Sequence, residues 1–195
     1  MNIHNIPCEI RSERIRRFVS LLLDQIREQS PQEYKRLQKR VSRIVQHDFE
    51  DDHKNGSWVW DDEAGPRFEV PGFVRLSSRL DDLNEFSDSD VISVIAHELG
   101  HAATTEAEFK DRLPNVLDGK HSFLCEWTSE GCAFWHAYMW GFKNETETYY
   151  RRHCLNPNEV GPLPGYYWRG FLRTSSFHLI RDPEFDLSEN ENNET

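Results

Sequence analysis

No run of apolar residues in this chain approaches the roughly 18–20 needed to cross a bilayer as a helix. The opening stretch, MNIHNIPCEIRSERIRRF, has no apolar segment ahead of a small-residue cleavage site. A Sec-type signal is therefore not expected, and the cytoplasm is the expected compartment, with signal-free export left open. Cysteine is scarce: Cys8, Cys125, Cys132 and Cys154 form neither a C-x-x-C pair nor a zinc-ribbon spacing, so free thiols are expected. Cations are scarce outside one segment. Residues 11–43 carry ten Lys and Arg against four acids, residues 44–195 carry thirteen against twenty-nine, and the net charge is −11. The main body thus lacks the clustered cations that phosphate binding needs, and nucleic acid is not an expected partner. The basic N-terminal helices are the one candidate surface for an acidic partner; a solvated helical face is the simpler account of them.

What is present suits one soluble domain of 195 residues, 37% hydrophobic and 12% aromatic. Ile15, Phe18, Val19, Leu22, Leu23 and Ile26 give residues 9–29 one apolar helical face. Ser30-Pro31 restarts the chain, and Tyr34, Leu37, Val41, Ile44 and Val45 extend a second helix to about Asp48. Residues 1–50 therefore read as a helical hairpin appended to the same domain. SWVW and RFEVPGFVRLS are short β-prone runs, and Pro71 breaks the second or places it at a sheet edge. Ser87 or Ser89 caps the next helix, whose apolar face is Val91, Ile92, Ile95, Leu99, Ala102 and Ala103. A further helix at about 122–140 stops at Gly141. Residues 182–195 carry six acids and no base, and read as a disordered tail behind a main domain at 51–181.

Inside the capped helix stands AHELGH. Residues four apart on a helix share a face, so His97 and His101 can offer two imidazoles to one zinc ion. Glu98 lies about 100° around the helix, beside the pair, where it can act as general base on zinc-bound water. The five-residue pattern alone arises by chance too readily to decide the matter. Context adds weight: the polar triplet interrupts an apolar helix, and burying it without a partner is costly. Gly100 costs about 1 kcal/mol inside a helix, which points to another backbone passing close by.

Catalytic zinc usually takes three protein ligands. A third histidine six residues past His101 is absent, since Ala107 stands there, and no inverted H-x-x-E-H motif occurs. Glu126 and Glu130 remain, in SFLCEWTSEGCAFWHAYMWGF, on a face shared with Ala133 and Ala137, a strip of small residues that can lie against Gly100. His121 and His136 are the histidine alternatives.

Over residues 73–142 the chain resembles a minimal gluzincin, a zinc peptidase with H-E-x-x-H on one helix and E-x-x-A-D, often running on to W-G-F, on the next. The matching residues are Glu126-Trp127-Thr128-Ser129-Glu130 and Trp140-Gly141-Phe142. The resemblance implies Glu126 as third ligand and Glu130, where aspartate is usual, as the partner of a ligating histidine. It departs at Glu130 and at Ser129, which replaces alanine, so exchanged roles for Glu126 and Glu130 stay open. It further implies an α+β, zincin-like fold whose edge strand pairs with an extended peptide; Phe73, Val74, Arg75, Leu76 and Ser77 are the candidates. Tyr166, Tyr167, His153 and His178 are candidates to stabilise an oxyanion. The expected function is a zinc metallopeptidase acting on a protein or peptide. Its rivals are an inactive zinc-stabilised binding module and a metal-dependent hydrolase of a non-peptide bond.

Overall fold

The computed structural model describes residues 1–50, 55–60, 70–108, 132–149 and 152. The chain opens on a hairpin of two short strands, β1 (Asn2–Ile3) and β2 (Ile6–Glu9). A two-residue turn joins them, with both central residues at positive φ, His4 at 53° and Asn5 at 67°, the conformation that matches strand twist. His4 pays for its unusual backbone through Tyr34, whose hydroxyl lies 2.9 Å from the ring Nδ1. It is not the surface histidine that its isolated position suggests.

Helix α1 (Glu13–Gln29) is capped by Ser12, whose side chain accepts from the Ile15 amide, and all six residues of the expected apolar face are buried. Helix α2 (Pro31–Arg40) starts at Pro31 as expected, but it ends eight residues early. Residues Val41–His47 form strand β3, not the end of a helix. A register irregularity between Val41 and Arg43 explains the misreading. The bulge puts buried Val41 and Ile44 three residues apart, a helical interval produced by a strand. The β-branched Val41, Ile44 and Val45 favour the pleated backbone, and pairing on both sides fixes it.

Strands β4 (Gly56–Trp60) and β5 (Gly72–Ser77) complete a five-stranded sheet of order β1-β2-β3-β5-β4. β2, β3 and β5 run parallel, and β4 is antiparallel to β5. The expectation that residues 73–77 form the sheet edge is therefore corrected. β5 pairs along its length with β3 on one side and β4 on the other, so Phe73, Val74, Arg75, Leu76 and Ser77 have no open ladder to offer a peptide. Pro71 marks the start of β5 rather than an edge within it. The edge beside the helices is β4.

A 3-10 turn (Ser78–Asp81) leads to helix α3 (Asp88–Ala103), whose capping box joins Ser87 to Asp90. Helix α4, described over 132–139, ends in a paired closure: the Gly141 amide donates to the Tyr138 carbonyl and the Phe142 amide to that of Ala137, both at 3.0 Å. Helix α5 (Lys143–Tyr149) then packs along α3. The helices and sheet share one continuous core running from Ile3 through Ile44, Val74 and Ile95 to Phe142, so the first fifty residues supply part of the sheet and its cover. The architecture is α+β with a small mixed sheet. Among the described residues no helix is long and apolar enough to cross a membrane.

Much of the N-terminal basic charge is structural. Arg14 donates to the carbonyls of Leu80 and Phe86, Arg16 to that of Ile10, Arg36 to that of Ala103 and Arg40 to that of Thr104. These four cations close loop and helix ends.

The α4 stop carries the first prediction. Gly141 has φ +91°, where an L side chain costs about 1–2 kcal/mol. Gly141→Ala should lower the thermal midpoint by about 2–8 °C, and an unchanged melting curve would contradict this account of the helix end.

Candidate metal centre

Helix α3 brings His97, Glu98 and His101 to the side of the sheet where β4 forms the edge. The two imidazoles stand edge to face, with ring planes at 86° and centroids 4.7 Å apart. Their Nε2 atoms converge to 3.1 Å. Ligand atoms about 2.0–2.1 Å from a tetrahedral ion lie roughly 3.3–3.4 Å apart, so this pair needs almost no movement to share one. The His97 ring also rests on Phe134 of α4, centroid to centroid 4.2 Å. Both histidines are half-buried, which leaves them a route to solvent.

Glu98 is 7% exposed, and its surroundings explain why. Its side chain lies directly on the backbone of Gly56, the first residue of β4. A Cβ at Gly56 would stand 2.6 Å from Glu98 Oε1 and 2.7 Å from its Cγ. A side chain at this position would displace the Glu98 carboxylate, which lies between α3 and the edge strand. Asn55-Gly56 reads in the sequence as a turn signal. Its second role was visible only as a glycine opening a β-prone run.

The other end of this contact is tied down as well. The Asn55 carbonyl accepts from the Ser77 amide, and Asn55 Nδ2 donates to the Tyr149 hydroxyl, both at 2.9 Å. Tyr149 is thus the described aromatic hydroxyl bonded beside Gly56, and it lies outside the group singled out from sequence. Arg152 donates to the fully buried Asp90 at 2.9 Å and so braces the capped end of α3.

Gly100 has the neighbour its cost implied. A Cβ there would lie 2.3 Å from the carbonyl oxygen of Ala133 and 2.8 Å from its Cα. Ala133 and Ala137 are fully buried, and α4 crosses α3 at this contact. Glu126, Glu130 and His121 lie outside the described residues, as do Tyr166, Tyr167, His153 and His178. Of the residues proposed to hold a peptide, Val74 and Leu76 are fully buried and Ser77 nearly so. Phe73 lies under the Arg43 guanidinium, and Arg75 donates to Ser57 Oγ at 2.9 Å.

A second ionisable cluster, missed from the sequence, joins Glu33 of α2, Glu108 and His136 of α4. His136 is 1% exposed, with Nδ1 3.0 Å from Glu33 Oε1 and Nε2 3.5 Å from Glu108 Oε2. Burial alone would raise the Glu108 carboxyl, but His136 and the Thr105 donors outweigh it and hold the group down at about 2. Burial would likewise raise Glu33, and His136 and Trp140 reverse the sign. Burial would lower His136, yet the two carboxylates raise it. The three groups lie close enough to hold a metal ion. Their chemistry favours an ion triad. One cation can take only one of the two ring nitrogens, whereas here each nitrogen faces a different carboxylate. His136 is therefore engaged away from the His97–His101 pair.

Comparison with protein-family models, with curated proteins and with solved structures found no match. No family is assigned to the chain.

The α3–α4 crossing generates the second prediction. Gly100→Ala places a methyl group against backbone that side-chain motion cannot relieve, and it should destabilise the fold by about 1–3 kcal/mol in chemical unfolding. Stability equal to wild type would mean that α4 does not seat on Gly100.

Proposed function

We propose that the chain is a zinc-dependent metallopeptidase acting on a protein or peptide. One observation carries this reading: the Nε2 atoms of His97 and His101 converge, and the intervening Glu98 side chain lies against Gly56 at the start of the edge strand. Two imidazoles and a nearby carboxylate are the donor set and the base that metal-assisted hydrolysis requires. His97 and His101 would hold the ion, with Glu126 as third ligand and Glu130 behind it on the strength of the gluzincin resemblance. When bound, zinc acts as a Lewis acid and makes water a competent nucleophile near neutral pH.

The roles of the chain's own residues follow from their placement. Glu98 takes a proton from the attacking water and returns it to the departing amine. Its position on Gly56 limits the rotamers it can occupy, which keeps the carboxylate oriented for that transfer. β4, rather than β5, offers the edge along which an extended peptide can add as a further strand. A peptide placed there passes the residue that touches Glu98.

The test combines metal analysis with cleavage of a labelled peptide library. Wild type should carry one zinc per chain and cleave a subset of peptides in a chelator-sensitive way. His97→Ala and His101→Ala should lose zinc. Glu98→Gln should keep zinc and slow cleavage by about 100-fold or more. Zinc bound equally by all variants would place the metal elsewhere. Zinc held by the histidines with no peptide cleaved would replace the peptidase with a zinc-stabilised binding module.

A further inference from the structure

The Glu33–His136–Glu108 group plays no part in the hydrolytic reading, and its geometry has consequences of its own. A neutral imidazole carries one N–H and can serve one carboxylate; the other then faces a bare ring lone pair. With Nδ1 at 3.0 Å from Glu33 and Nε2 at 3.5 Å from Glu108, both contacts are ion pairs outside hydrogen-bond geometry, and they are attractive only when the ring carries its positive charge. The carboxylates are themselves immobilised. Glu108 Oε2 accepts from the Thr105 amide at 2.7 Å and the Thr105 hydroxyl at 2.8 Å. Glu33 Oε2 accepts from the Trp140 indole. Neither acid can swing away cheaply if the ring between them loses its charge.

The groups facing His136 come from separate elements: Glu33 from α2, Glu108 from the first turn of the helix that begins at residue 106, and Trp140 just past the end of α4. Arg36 of α2 lies 3.7 Å from Glu108 Oε2 and also donates to the Ala103 carbonyl at 2.6 Å. With His136 charged, two anions are balanced by two cations. With His136 neutral, one partly buried negative charge is left in excess, which is unfavourable.

We propose that Glu33, His136 and Glu108 form a proton-operated latch that seats α4 across α3. Three residues before His136, Ala133 meets Gly100; two before it, Phe134 covers the His97 ring. Holding His136 therefore holds both contacts. The latch stands whether or not the chain is a peptidase.

The direction of the pH effect follows from linkage. His136 is raised in the folded chain, so its contribution is complete below about pH 6.5 and is lost as the pH climbs through the folded value. Glu33 and Glu108 are lowered, so their contributions are present above about pH 4.5 and are lost on acidification, for Glu108 toward about 2. The latch is shut from weakly acidic to near-neutral pH and opens on the alkaline side.

The experiment follows the imidazole and backbone amide resonances of full-length wild-type protein from pH 5.5 to 9.5. His136 should titrate above about pH 6.5, and the amides of Gly100 and Phe134 should shift with the same midpoint. Glu33→Gln should move that midpoint down. In thermal unfolding, wild type should melt above His136→Gln at pH 6, and the gap should narrow as the pH rises through the His136 midpoint read from the resonances. A His136 midpoint at or below 6.5 overturns the proposal. So does a high midpoint to which the α3 and α4 amides do not respond, or a melting gap that is constant with pH. If His136→Gln does not fold, the wild-type titration and the Glu33→Gln shift decide the matter.

Discussion

The absent Cβ of Gly100 seats α3 against the backbone of α4, and that of Gly56 leaves room for the Glu98 side chain beside the edge strand. On one side Gly56 lets the Glu98 side chain lie on the start of β4; on the other Gly100 lets α4 cross at backbone contact with Ala133. A methyl group at either point would have to occupy space within 2.6 Å of an existing atom. These contacts are specific in a way that apolar packing is not. A core tolerates exchange of one aliphatic side chain for another at modest cost, whereas a helix spaced by glycine against backbone has one seat. That seat fixes the face of α3 carrying His97 and His101, and through Phe134 it also braces one of the imidazoles.

Polar contacts then lock what the glycines allow. Ser87 and Asp90 close the start of α3, Arg152 braces Asp90, and Asn55 joins the first turn of β4 to Tyr149 at the end of α5. On the far side of α4 the buried His136 links two acids from separate elements. Helix α3 is thus restrained by the Gly56 and Gly100 contacts beside His97 and His101 and by charged contacts further away.

The legibility of this fold in the sequence divides along physical lines. Helices α1 and α3 were readable because their apolar residues recur at the helical period between recognisable caps, and Gly141 marked a stop that the backbone confirms. The meaning of Gly100 was readable because a glycine inside a good helix needs a reason. β3 was misread because its bulge spaces Val41 and Ile44 like a helix. The edge assignment of residues 73–77 failed because Pro71 lies just outside β5 and says nothing about strand order, which is set by pairing across the chain. The cluster of Glu33, Glu108 and His136 had no local signal at all, since its members come from distant parts of the sequence and only packing unites them. Glu126 and Glu130 rest on resemblance, and the described residues do not include them.

The account stands on His97 and His101 sharing one ion, and X-ray absorption at the zinc edge of the loaded protein tests that claim most directly. Two imidazole shells at about 2.0–2.1 Å, with the remaining scatterers oxygen, are the predicted result. A sulfur shell near 2.3 Å, or zinc bound without histidine, would contradict it.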